Sequence, residues 1–366
     1  MSNTDVYNNK LDQLTGLRYF AALLVFLSHL DWNGSNIFFV TVFKQGYVGV
    51  SFFFILSGFI LSYSYGGRIV NGSLGFCKYA LLRLARLSPL HFATAAPFVF
   101  YALYKHDFQL IKTLSNLFYL QSWIPSSSYY FSLNAPSWSL SNEMFFYFCF
   151  FPLVFFSSSR LLKFGGILLA IIVTSALIVN FELAGRIFFG GSSFAHWLFY
   201  IFPGFRLLEF IVGMFLYRAW KGGFRLNSSL VTPSYVILFC SMYFAGEIPE
   251  SFRFSLFFLP FISLFFYANL SEGGVLVKFF SCKILVLLGN ASFAFYLIHQ
   301  PLILLLKRVL GKFELSNVSF CFVSLFAITF LSVLVYVFYE KKSESFLKSW
   351  VGSRTKVWES QKRVEQ

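Results

Sequence analysis

Apolar residues in this chain run in blocks of about 20, the length of helix needed to cross the hydrocarbon core of a bilayer. Helices are expected because a span in lipid must satisfy every backbone polar group within itself. Ten spans are expected: 14–32, 46–65, 89–105, 136–157, 163–181, 203–219, 231–246, 252–270, 284–306 and 318–339. The stretch 108–124 is expected along the interface, and 187–202 is a weaker run broken by Gly190, Gly191 and Pro203. With no internal repeat and no separate soluble domain, the chain divides into a segment 1–13, a transmembrane domain 14–339 and a tail 340–366. The first block follows a short polar lead, is interrupted by Arg18 and His29 and lacks a small-residue cleavage site, so it is expected to be retained.

Composition agrees with this pattern. Hydrophobic residues make up 57% and charged residues 12%, with 54 Phe, 20 Tyr and 7 Trp. A soluble globule of this size could not cover so much apolar surface, which excludes soluble-enzyme, nucleic-acid-binding and disordered readings. The fold class is therefore an all-α integral membrane protein, a bundle of about ten transmembrane helices. The formal net charge of +14 concentrates in alternate loops: about 19 Lys and Arg fall on the side of the N-terminus and about 8 on the other, which puts both termini in the cytoplasm. Most of that charge is a topology signal and an attraction to anionic headgroups. The five cysteines are scattered without close spacing and read as small hydrophobes.

Ionisable groups inside spans are costly unless paired or hydrated, so each is a functional candidate. The set comprises Arg18, His29, Glu143, Arg206, Glu209 and His299. Arg18 and His29 are eleven residues apart, which puts them on nearly one helix face, about 16 Å apart along the axis. Glu143 enters below Pro136 and Trp138 with Tyr147 one turn on, while Ser292, Tyr296 and His299 share a face. Two histidines and one carboxylate are thus expected to converge at similar depth. Zinc is conceivable, but without a close-spaced ligand pair no metal is assigned. Ser51, Gly58, Ser62 and Tyr65 form a stripe of small and polar residues suited to close helix packing or to walling a channel. Arg83 and Arg86, three residues apart, lie on an amphipathic helix expected to end near Pro89, in a geometry suited to phosphate oxygens.

The ordered motifs resemble the membrane acyltransferase family 3, bacterial O-acyltransferases of envelope polysaccharides. Leu14-Thr-Gly-Leu-Arg18 through His29 is similar to that family's opening, and Gly46 to Gly58 to its glycine- and phenylalanine-rich stretch. Arg83 with Arg86, Trp138-Ser-Leu with Glu143, Phe146 and Tyr147, and Tyr296-Leu-Ile-His299 resemble its later blocks. Ser51 stands where many members carry Asp and is left out of the catalytic set. The resemblance implies an acyl-coenzyme A donor, usually acetyl, entering from the cytoplasm, and an acceptor hydroxyl on a lipid-linked or polymeric glycan such as O-antigen or exopolysaccharide. It also implies residence in a bacterial cytoplasmic membrane. Arg18, Arg83 and Arg86 would bind the donor. His29 would be general base, or itself be acylated first; Glu143 would hold or charge the imidazole, and His299 would position the acceptor or donate to the oxyanion. A proton-coupled transporter or flippase is the competing reading. A structural or receptor-like protein would leave the buried charges without purpose.

Overall fold

The computed structural model describes residues 11–32, 36–182, 187–188, 192–271, 273–313 and 315–351. The polar lead through residue 10, the Gly190–Gly191 break and the tail beyond Val351 lie outside the described residues. Eleven principal helices are α1 Asp12–Ser28, α2 Val48–Leu61, α3 Phe76–Tyr104, α4 Trp138–Leu153, α5 Ser158–Glu182, α6 Pro203–Lys221, α7 Val231–Phe244, α8 Phe258–Ala268, α9 Lys283–Asn290, α10 Ser292–Leu310 and α11 Asn317–Val335. Apart from a two-residue antiparallel pairing of Ile187–Phe188 with Ser192–Ser193, no strand occurs among the described residues.

Seven helical stretches are long and apolar enough to cross a membrane: 37–70, 158–181, 194–221, 228–247, 250–268, 292–310 and 317–351. The other expected spans, near 14–32, 89–105 and 136–157, are helical but shorter or less apolar: α1 has 17 residues and α4 has 16, while the first half of α3 carries Lys78, Arg83 and Arg86. Phe100, Phe181 and Phe326 stand outward at 70%, 77% and 76% exposure, where a bilayer would replace water as the apolar solvent.

Three expectations are corrected. The helix expected to end near Pro89 runs on as α3 through Pro89 and Pro97; prolines persist in membrane helices because neighbouring groups absorb the freed backbone positions. The expected span 284–306 is two helices meeting at Ala291, so Ser292 opens α10. The last helix does not stop at residue 339 but continues through a π turn, Tyr336–Glu340, and onward helically to Val351.

Glycine sets the closest crossings. A Cβ on Gly58 of α2 would lie 2.0 Å from the Phe210 carbonyl oxygen of α6, and one on Gly213 of α6 would lie 2.0 Å from that of Ile55. The two backbones therefore touch through paired glycines, as lipid-embedded helices do when small residues remove the side-chain spacer. Gly289 of α9 meets the Thr15 carbonyl of α1 in the same way. This tight centre fixes α1, α2 and α6 as the frame on which α4 and α10 place their polar residues.

Candidate active site

Two cavities, each of about 460 Å³, lie within the bundle. The first is lined by Arg18 of α1, Arg83 and Arg86 of α3, Glu143 and Tyr147 of α4, and Ser292 of α10. The expected donor-binding arginines are thus brought together, but their partners differ. Arg83, 9% exposed, donates to the Tyr65 hydroxyl and lies 4.3 Å over the Tyr65 ring. Among the described residues it makes no ion pair with a carboxylate. Arg86 is held by Glu340 and, at 2.9 Å, by Glu344, which in turn pairs with Lys348 at 2.5 Å. Tyr65 and Glu340 both sit in π turns, Ser62–Gly66 and Tyr336–Glu340, whose extra residue per turn re-aims a side chain away from the regular helical face.

The second cavity is lined by His29, His299 and His196 together with Tyr47, Trp138 and Tyr200. The His29 and His299 rings meet edge to face with centroids 5.0 Å apart. Nδ1 of His29 lies 2.8 Å from the Val25 carbonyl oxygen, and Nδ1 of His299 lies 2.6 Å from that of Tyr296. A carbonyl only accepts, so Nδ1 carries the proton on both rings and Nε2 carries the lone pair. His29 is exposed to the cavity, whereas His299 is 1% exposed with Nε2 lacking a hydrogen-bond partner.

The carboxylate does not converge with the imidazoles as expected. Glu143 lines the arginine cavity and accepts a hydrogen bond of 2.7 Å from the Tyr147 hydroxyl. One turn of α4 separates the two environments, because Trp138 faces the histidines and Glu143 faces the arginines.

Val50 and Tyr296 line both cavities. Helices α1, α4 and α10 each run past this septum, with Arg18, Glu143 and Ser292 on one side and His29, Trp138 and His299 on the other. The eleven-residue spacing of Arg18 and His29 thus places one end of α1 in each chamber.

Sequence reasoning missed three features. Glu340 was placed at the start of the polar tail, yet it is 2% exposed and pairs with Arg86; its polar surroundings, Lys341 and Lys342, concealed it. His196 fell in the broken stretch 187–202. The pair of Arg206 (0% exposed) and Glu209 (1%), 3.1 Å apart on α6, lay within the candidate set but had no assigned partner. Arg206 also donates to the Ser51 hydroxyl at 3.2 Å and packs over Phe54 and Tyr200, one ring from each cavity wall. The stretch 108–124, expected at the interface, exposes Leu110, Ile111 and Phe118 and buries Asn116, Gln121 and Ser122 completely. The Gln121 side-chain amide and the Ser122 hydroxyl donate to the carbonyls of Ser137 and Trp138, pinning the start of α4. Among the described residues no group of three or more histidine, cysteine or carboxylate side chains could hold a metal ion.

A family model described as an acyltransferase domain matches residues 11–337. The chain is 31% identical to the acyltransferase MdmB of Streptomyces mycarofaciens over 82% of this chain and 81% of that protein. It is 28% identical to a putative peptidoglycan O-acetyltransferase, YrhL, of Bacillus subtilis, covering 95% of this chain and 58% of the relative. It is 26% identical to the peptidoglycan O-acetyltransferase OatA of Listeria monocytogenes, covering 85% and 52%. The chain therefore spans little more than half the length of those two relatives. No solved structure gives a significant match.

Proposed function

The chain belongs to the membrane acyltransferase family 3, and from that premise we propose that it moves an acetyl or other acyl group from acyl-coenzyme A to a hydroxyl of a cell-envelope glycan. O-antigen or an exopolysaccharide, lipid-linked or polymeric, is the acceptor class; the relatives named as peptidoglycan O-acetyltransferases support a glycan. The proposed setting is a bacterial cytoplasmic membrane with both termini inside, following the loop charges.

The observation that carries this reading is the septum at Val50 and Tyr296, where a cationic chamber adjoins an imidazole chamber. Coenzyme A has a phosphate-rich end and a slender arm. The phosphates suit Arg18 and Arg83, the latter without an ion pair among the described residues, in charge-assisted contact. The arm would pass Tyr296 and present the thioester to His29. Nε2 of His29 takes the acceptor hydroxyl proton as that oxygen forms its bond to the thioester carbonyl carbon. The carbon–sulfur bond then breaks, and the departing thiolate receives the proton back from the imidazolium. His299, with its lone pair at Nε2, orients the acceptor by accepting a hydrogen bond; its tautomer does not suit donation to the oxyanion. Glu143 balances the arginine charge in the donor chamber.

The test is labelled acetyl transfer by purified protein in lipid nanodiscs. His29→Ala should lower kcat by about 10²–10⁴ with acetyl-coenzyme A binding retained. Full transfer by well-inserted His29→Ala protein would sink the assignment.

A further inference from the structure

The histidine chamber carries more charge than proton transfer requires. Lys44, the last residue of the helix Ile37–Lys44, and Arg253, the first of a π turn, both line it, and no carboxylate does among the described residues. The Lys44 ammonium is exposed and makes no hydrogen bond or ion pair with another described residue. Arg253 donates Nε–H to the Ile248 carbonyl at 3.1 Å and shares a hydrogen bond with the Tyr47 hydroxyl. These contacts fix the guanidinium without neutralising it. The carboxylate on the adjoining turn, Glu250, accepts from the Ser193 hydroxyl at 2.5 Å and makes no ion pair with Arg253. Nδ1 of His196, a third imidazole on this wall, is buried without a partner. Trp138 and Tyr200, ring centroids 4.8 Å apart and tilted by 51°, supply aromatic surface to the same cavity.

Two cations lining one cavity, with no carboxylate among its described lining residues and neither paired to Glu250, draw an anion into it. A guanidinium fixed at one edge still offers paired donors to carboxylate or phosphate oxygens. The cavity volume of about 460 Å³ lies within the range that holds a small organic ligand. Resting on the acyl-transfer reading, we propose that the acceptor bears a negative charge close to the hydroxyl that is acylated, seated between Lys44 and Arg253, with a sugar ring against Trp138 and Tyr200. The shared chemistry is an anionic oxygen group, supplied by the carboxylate of an acidic sugar or by the phosphate that links a glycan to its lipid.

The test uses the full chain in nanodiscs with three probes built on one disaccharide: the neutral methyl glycoside, its uronate counterpart, and the phosphodiester of a short isoprenoid alcohol. Equilibrium binding and acetyl transfer are measured for the native protein and for Lys44→Gln, Arg253→Gln and the double variant. At least one anionic probe should bind about tenfold or more tightly than the neutral one. That advantage should shrink in each single variant, vanish in the double one and weaken with added salt. Which anionic probe is favoured identifies the source of the charge. Equal binding of all three, no binding of either anionic probe, or an anionic preference untouched by both substitutions would overturn the proposal. Selective anion binding with no coenzyme A release would leave this site standing and sink the acyl-transfer reading.

Discussion

Val50 and Tyr296 are the residues on which the arginine and histidine chambers meet; Tyr296 was legible in the sequence as a neighbour of His299, and Val50 was not marked by any charge. Their importance is positional. A branched side chain and a phenol ring form the wall that the two chambers share. Val50→Trp should fill that junction: acyl-coenzyme A binding in the arginine chamber is retained, and transfer to glycan falls at least about 10²-fold. Unimpaired transfer by Val50→Trp would show that the reacting ends do not meet there. His29 and His299 were legible as imidazoles within spans, but their tautomers were not. Those follow from backbone carbonyls of Val25 and Tyr296 on their own helices, set by side-chain torsion rather than by residue type.

Helices assign different work to two arginines that look equivalent in the sequence. Arg83 and Arg86 lie one turn apart on α3, but α2 continues into a π turn that offers Tyr65 to Arg83, and α11 continues into one that offers Glu340 to Arg86. Among the described residues Arg83 makes no ion pair, whereas Arg86 is paired with Glu340 and Glu344. Arg83→Ala should weaken acyl-coenzyme A binding by about tenfold or more, as loss of hydrogen bonds to a charged group implies, with little change in thermal unfolding. Arg86→Ala leaves Glu340 buried and unpaired and should destabilise the fold by about 3 kcal/mol, seen as a lowered unfolding temperature in detergent. Glu340→Gln in that background should recover part of the loss. A reversed outcome, with donor binding lost only in Arg86→Ala, would exchange the two roles. The corrected end of the last helix has the same origin: Lys341 and Lys342 look like a solvated tail, but contacts from α3 hold the segment in register.

For the molecule as a whole, the apolar periphery describes a protein that lipid surrounds, and the proposed topology turns its two chambers toward opposite leaflets. The loop holding Ser73 should then be cytoplasmic and that holding Ser128 external, each position being exposed. In a variant without the native cysteines, Ser128→Cys should react with an impermeant maleimide in intact spheroplasts. Ser73→Cys should react only after lysis, and the opposite pattern would invert the proposed topology. Seven stretches meet the length and hydropathy of a span where ten were expected. The shortfall has two physical reasons: α1, with 17 residues, is short, and α3 and α4 carry polar residues that line the chambers and lower the mean hydropathy of the helices that hold them.

Helical blocks, buried ionisable residues and the Arg18–His29 face were readable from the chain because lipid forces each span to satisfy its own backbone, a local constraint written in consecutive residues. The separation of Glu143 from the imidazoles, the capture of Arg86 by a glutamate 254 positions away and the unneutralised rim of Lys44 and Arg253 belong to the packed bundle alone. Each depends on which helices cross and at what depth. That is fixed by interlocking small residues such as Gly58 and Gly213, whose contacts join segments far apart in the chain.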